Sequence, residues 1–234
     1  MAASGLVAGA SALGKAANLD VLGPVTGGSD IVRTIVVLTL VALIPAVLLS
    51  MTSFIRIIIT LSMVRHAFGM PETPPNPVLI SLALFLTAFS MGPTVDAINR
   101  DALQPYLASK QGLEQTIDRG SKPLRSFMLA QTSDADIEAI YGIAHVPPPS
   151  RPEDVEITKL APAFIINELR ASFTIGFVIL LPFLLIDLVV SAILLALGMM
   201  MVPPSTISLP IKLLMFVLID GWSLIIQGVL GSFR

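Results

Sequence analysis

The chain reads as an all-α membrane protein, made of kinked helical hairpins with one small polar helical domain. Three observations predict this. Hydrophobic residues fill 54% of the 234 positions and charged residues only 13%, where a soluble globular chain carries roughly 25% charge. Residues 173–201 and 207–230 are apolar runs, and crossing a bilayer takes roughly 20 apolar helical residues. The polar stretch between the apolar segments shows helical spacing, at Val95, Ile98 and Ala102 and again at Ile137, Ile140 and Tyr141, with no strand pattern.

Composition also excludes function classes. The net charge of −2 gives no basic surface for nucleic acid. The absence of cysteine removes disulfides, thiolate metal sites and thiol nucleophiles. The chain has no H-E-x-x-H, no phosphate-binding glycine loop with Lys-Ser/Thr and no G-x-S-x-G. It is expected to be neither an enzyme nor a cofactor binder. His66 and His145 stand alone without neighbouring ligand-type residues, so no metal site is expected.

Residues 1–30 are rich in small residues, with Lys15 and Asp20 among the few charges before Gly23, Pro24, Gly27 and Gly28, and read as a flexible tail or a weak signal peptide. The first apolar helix covers about 31–50, with Pro45 as a kink near its end. A second covers 52–68, where Thr52, Arg56 and Thr60 recur four apart and so share one side. The proline-rich segment 69–77 is a turn, and a third helix covers 78–91 before Gly92 and Pro93. The second and third are too short to span, so residues 31–92 are expected to hold a re-entrant hairpin or helices packed on protein.

Residues 93–163 carry most of the charge and are expected to form a small helical domain. Ser133, with acids at 134 and 136, marks a helix start, and 146–152 (VPPPSRP) a stiff linker. Arg65 and His66 in the short loop after the second helix favour the cytoplasm, which places the 93–163 domain on the extracytoplasmic side. Residues 164–234 complete the chain as a long helical hairpin turning near residue 203. In it Asp187 and Asp220 fall at similar depth, and Lys212 lies two turns before Asp220.

Charges within apolar helices are costly and mark protein-lined interiors. One buried network of Arg56, Asp187, Lys212 and Asp220 is therefore expected, fixing contacts between subunits. A proton relay is the other reading of these acids. Met199, Met200 and Met201 follow Gly198 and precede Pro203-Pro204, on the turn of the hairpin. Taken alone, three methionines there are ordinary packing at a hairpin tip. Their soft, unbranched side chains also suit an adaptable seal. Gly198, Gly221 and Gly228 read as packing or kink glycines.

Several long segments, in order, carry a family resemblance: MTSFIRIIITLSMVRHAFG, TPPNPVLISLALFLTAFSM, KPLRSFMLAQT, and residues 164–222 from FIINELRASF to LIDGW. Together they resemble the FliP family of export-gate proteins over about residues 31–232. The resemblance implies a core subunit of the flagellar type III export apparatus in the bacterial inner membrane, within the basal body. It implies a homo-pentamer joined by FliR, several FliQ and an FlhB-type subunit, forming a helical ring around a channel that passes unfolded protein. It also implies that Met199, Met200 and Met201 are the methionine gasket closing that channel. The related injectisome subunit, a small-molecule transporter and an intramembrane hydrolase are the rival readings.

Overall fold

The computed structural model describes residues 51–233 apart from 71, 110 and 200, together with part of the stretch 34–50. The tail expected over 1–30 lies outside the described residues, as does Met200. In the stretch 34–50 the described residues, Pro45 included, are helical. Residues Ala46–Arg234 form one compact unit, described here by itself.

Every described element is a helix. Helix α1 is Phe54–Ala67 and α2 is Asn76–Ser90. Then come α3, Gly92–Ile98, a π-helical turn at Asn99–Leu103, and α4, Gln104–Leu107. Helix α5 is Leu113–Gln131 and α6 is Asp134–Ile143. The long α7 is Ile157–Ala196, followed by α8, Pro204–Leu218, and α9, Gly221–Leu230. Proline stands in the first turn of α2, α3 and α8, where its missing N–H costs no helical bond. The Ser133 hydroxyl accepts from the Asp136 N–H at 3.3 Å and caps α6, as the sequence signal predicts.

Among the described residues, helix α7 alone is long and apolar enough to cross a membrane, its best window having a mean hydropathy of 2.9. Two further spans are available only as bent pairs, α2 with Gly92–Leu107 at 62° and α8 with α9 at 67°. The second bend corrects an expectation: residues 207–230 are not one helix. The chain breaks at Asp220, whose φ of 50° and ψ of 54° are left-handed, and α9 folds back against α1 and α7. Gly221 permits this elbow, because a Cβ there would sit 2.1 Å from the Phe216 ring. Asp220 and Asp187 are therefore not paired across a straight hairpin.

Two apolar cores lie along α7. One gathers Leu160, Ala163 and Phe164 with Met128, Ile137 and Tyr141 of α5 and α6. So the polar stretch 93–163 packs its α5 and α6 directly on α7. The other gathers Phe183 of α7 with Ile57, Leu61 and Val64 of α1, Phe216 of α8 and Val229 of α9. Phe68 stands edge-on to both Phe183 and Phe216, with ring centroids at 5.3 and 4.9 Å, a favoured geometry for aromatic rings. Outside these cores α7 stays apolar and exposed, at Phe173, Phe177, Leu185 and Leu188 among others. An apolar lateral surface of that kind is made for lipid or for another protein, not for water.

Candidate functional site

The charges within the apolar helices divide into two separate pairs. Between the two cores, Glu168 of α7 receives Arg56 of α1 in a two-point bond: Nε donates to Oε2 at 2.8 Å and Nη2 to Oε1. Nη1 donates to the carbonyl and hydroxyl oxygens of Ser232 at 2.8 and 3.0 Å, and Nη2 also to Gln131 Oε1 at 3.3 Å. All five guanidinium N–H groups thus have an acceptor, and the Phe233 ring lies 4.1 Å below the cation. Arg56 is 3% exposed and Glu168 is fully buried. A charge taken so far from water is tolerable only with this saturation. Thr60 and Ser172, on the same two helices, donate to the Arg56 and Glu168 carbonyls.

The second pair lies toward the far end of α7. Lys212 Nζ of α8 donates to Asp187 Oδ2 at 2.7 Å and to the carbonyl of Ala67, the last residue of α1, at 3.0 Å. A cation at a helix C-terminus also meets the negative end of the helix dipole. Lys212 is 6% exposed, Asp187 39%, so this pair opens on one side. It opens into a cavity of about 370 Å³ of mixed character, lined by Ser205, Thr206 and Ser208 together with Phe68, Pro204 and Leu209.

The expected single network of Arg56, Asp187, Lys212 and Asp220 is thus not what one chain contains. Arg56 and Lys212 each have their own acid, Glu168 and Asp187, and exposed Asp220 joins neither. The sequence reading missed Glu168. Its signal was present: an acid in the run Phe164-Ile165-Ile166-Asn167-Glu168-Leu169, where a lone carboxylate needs a cation.

Past α7 the backbone turns through Gly198 at φ 73°. Gly198 N–H donates to Leu195 O at 3.0 Å and Met199 N–H to Leu194 O at 2.9 Å. This is a Schellman closure, with glycine in the left-handed position it favours. It holds Met199 and Met201 out on the turn before α8, 43% and 96% exposed. Met128 and Met91, by contrast, are buried in the body of the protein. His66 and His145 are both exposed. Among the described residues no group of three His, Cys, Asp or Glu comes close enough to hold a metal.

Outside the apolar segments, Arg170 binds Asp136 through both carboxylate oxygens, at 2.9 and 2.7 Å, and Ser133 donates to the same carboxylate at 2.6 Å. Burial pushes the Asp136 carboxyl up, but the Ser133 hydroxyl and the Arg170 guanidinium outweigh it and hold the group below the usual range. This bond fastens α6 to α7.

Residues 37–229 match the FliP family. Over 202 residues the chain is 49% identical to the flagellar biosynthetic protein FliP of Pectobacterium carotovorum, covering 86% of itself and 78% of that protein. It is 50% identical over 203 residues to the FliP of Buchnera aphidicola from Acyrthosiphon pisum, covering 87% of itself and only 54% of that longer chain. With the FliP of Rhizobium meliloti it shares 42% identity over 235 residues, 100% of this chain and 95% of the relative.

Proposed function

The chain belongs to the FliP family, and from that premise we propose that it is the channel-forming subunit of the flagellar type III export gate, passing unfolded protein across the bacterial inner membrane. The match over residues 37–229 is the observation that carries this reading. The relatives named above are flagellar proteins, which favours the flagellar over the injectisome branch.

The geometry supports a division of labour. The Arg56–Glu168 layer ties α1, α5, α7 and the Ser232-Phe233 segment into one rigid piece. The methionine turn hangs from the end of α7 on a fixed glycine closure, with Met199 and Met201 exposed. Copies of the chain packed through the exposed apolar flank of α7 form a ring, a pentamer with FliQ, FliR and FlhB-type partners. In it the turns at 199–201 converge on the axis. Thioether side chains adapt to passing polypeptides of varied shape and close again behind them. The α5–α6 region then lies on the extracytoplasmic side, and no step of chemistry is assigned to this subunit.

Co-purification with FliQ- and FliR-type subunits, followed by mass measurement of the intact particle, tests the proposal. The expected result is one large complex with several copies of this chain. A monomer that binds neither subunit overturns it.

A further inference from the structure

The described methionines stand in three settings. Met128 is fully buried and Met91 is 4% exposed. Met51, Met63, Met70 and Met215 are half-buried, packed on the two cores or, for Met63, against Gly176 of α7. Met199 and Met201 belong to neither core. Met201, at 96%, is the most exposed of the large hydrophobic side chains among the described residues.

The surroundings of the turn are uniformly apolar. Residues 188–211 carry no charge, and residues 192–204 no side chain that donates a hydrogen bond. The backbone N–H groups of Gly198 and Met199 are already given to the carbonyls of Leu195 and Leu194. Leu195 and Leu197 flank the turn, 62% and 67% exposed. A seal built from these residues is dry by composition. A new hydrogen-bond acceptor on the turn finds no donor among these side chains. It has to draw in water, because a polar group held away from water without a partner is costly.

The thioether sulfur is where such an acceptor is made. We propose that Met199 and Met201 form a reversible oxidation site for small hydroperoxides, and that their sulfoxides wet the turn and loosen the closed gate. A sulfur lone pair forms the S–O bond and the O–O bond breaks. The proton of the transferred oxygen passes to the departing hydroxide, which leaves as water. Sulfur is oxidised by two electrons and the peroxide reduced by two. The product is a polar side chain in place of a flexible apolar one. Exposure ranks the methionines, so these sulfurs react before those in the cores, and the fold survives the change. Thiol-dependent methionine sulfoxide reductases reverse it, with two thiols oxidised to a disulfide and the oxygen leaving as water. The choice of site rests on the exposure of the turn alone, whereas the effect on the gate rests on the proposed function.

The complex with FliQ- and FliR-type subunits, held in liposomes, is treated with hydrogen peroxide and followed by peptide mass mapping and by ion flux. The wild type is expected to gain one oxygen at Met199 and at Met201 while Met91 and Met128 stay reduced, and its flux to rise several-fold. The reductases with dithiothreitol are expected to return both readings to their starting values. Met199→Leu/Met200→Leu/Met201→Leu keeps apolar bulk at the turn without sulfur. Measured against its own flux before peroxide, it is expected to show no rise. Oxidation of Met91 or Met128 ahead of the turn overturns the site. An equal rise in the leucine variant, or a rise that the reductases leave in place, assigns the leak to damage elsewhere and overturns the effect. The variant Met199→Gly/Met200→Gly/Met201→Gly separates this inference from the reading beneath it. If that variant leaks and the oxidised wild type does not, the inference falls and the gate stands; if neither leaks, both fall.

Discussion

The two ion pairs within the apolar helices are alike in chemistry and opposite in setting. Arg56–Glu168 is sealed, with every guanidinium hydrogen used and both side chains buried. Lys212–Asp187 is half open, with its acid 39% exposed and lining a cavity. The sealed pair sits between two apolar cores and joins segments far apart in sequence. The open pair sits on the part of α7 nearer the turn where Met199 and Met201 are displayed. A saturated charge fixes geometry because it has no alternative partner. A half-solvated one leaves its neighbourhood free to rearrange at lower cost. The molecule thus places rigidity at one end of α7 and adaptability at the other.

The contrast can be broken most forcefully at the sealed pair. Glu168→Ala leaves the Arg56 cation buried without its carboxylate, and is expected to cost about 3–5 kcal/mol. Thermal unfolding of the purified protein in detergent reads this, and a shift no larger than that of Asp187→Asn abolishes the distinction between the pairs. Gly221→Ala comes next. Its methyl would overlap the Phe216 ring, which is wedged against Phe68 and Trp222, and overpacking of this kind costs about 1–3 kcal/mol. Gly176→Ala strikes instead the flexible Met63 side chain, whose sulfur lies 2.2 Å from the added Cβ. It is expected to be the milder of the two in the same melt, and the reverse order contradicts the account of the elbow.

Asp187→Asn is expected to cost about 1 kcal/mol, because Lys212 keeps the Ala67 carbonyl and an amide oxygen in place of the carboxylate. The smallest effect belongs to the α6–α7 fastening. The Asp136 carboxyl is held below its ordinary value in the fold. Its stabilisation is therefore fully present above an unfolded-state pKa of about 3.9 and is lost as pH falls through the lower folded-state value. Melting temperature followed against pH should drop over that acid range in the wild type and less steeply in Asp136→Asn. Identical profiles remove Asp136 from the account.

Much of this was legible in the residues. The ends of α1 and α2, the capped start of α6 and the glycine-closed turn after α7 each rest on a local signal: a proline cluster, a Ser with following acids, a Gly before Pro-Pro. The elbow at Asp220 was not read, although Asp220-Gly221 is a turn dipeptide. The apolar residues on both sides masked it, because hydropathy reports burial in lipid and not straightness. The partner of Arg56 was hidden for a different reason. Glu168 is 112 positions away, and periodicity within one helix cannot say which distant helix it will face. The placement of Met199 and Met201 on an exposed turn could be anticipated, but what they close depends on other copies of the chain.

That last point has the most direct test. Replacing Met199, Met200 and Met201 together by glycine leaves both ion pairs and the Gly198 closure intact and removes only the adaptable side chains. With the variant assembled in the inner membrane, the account predicts ion leakage through idle gates, seen as a fall in membrane potential, together with altered secretion. A tight membrane with normal export contradicts it.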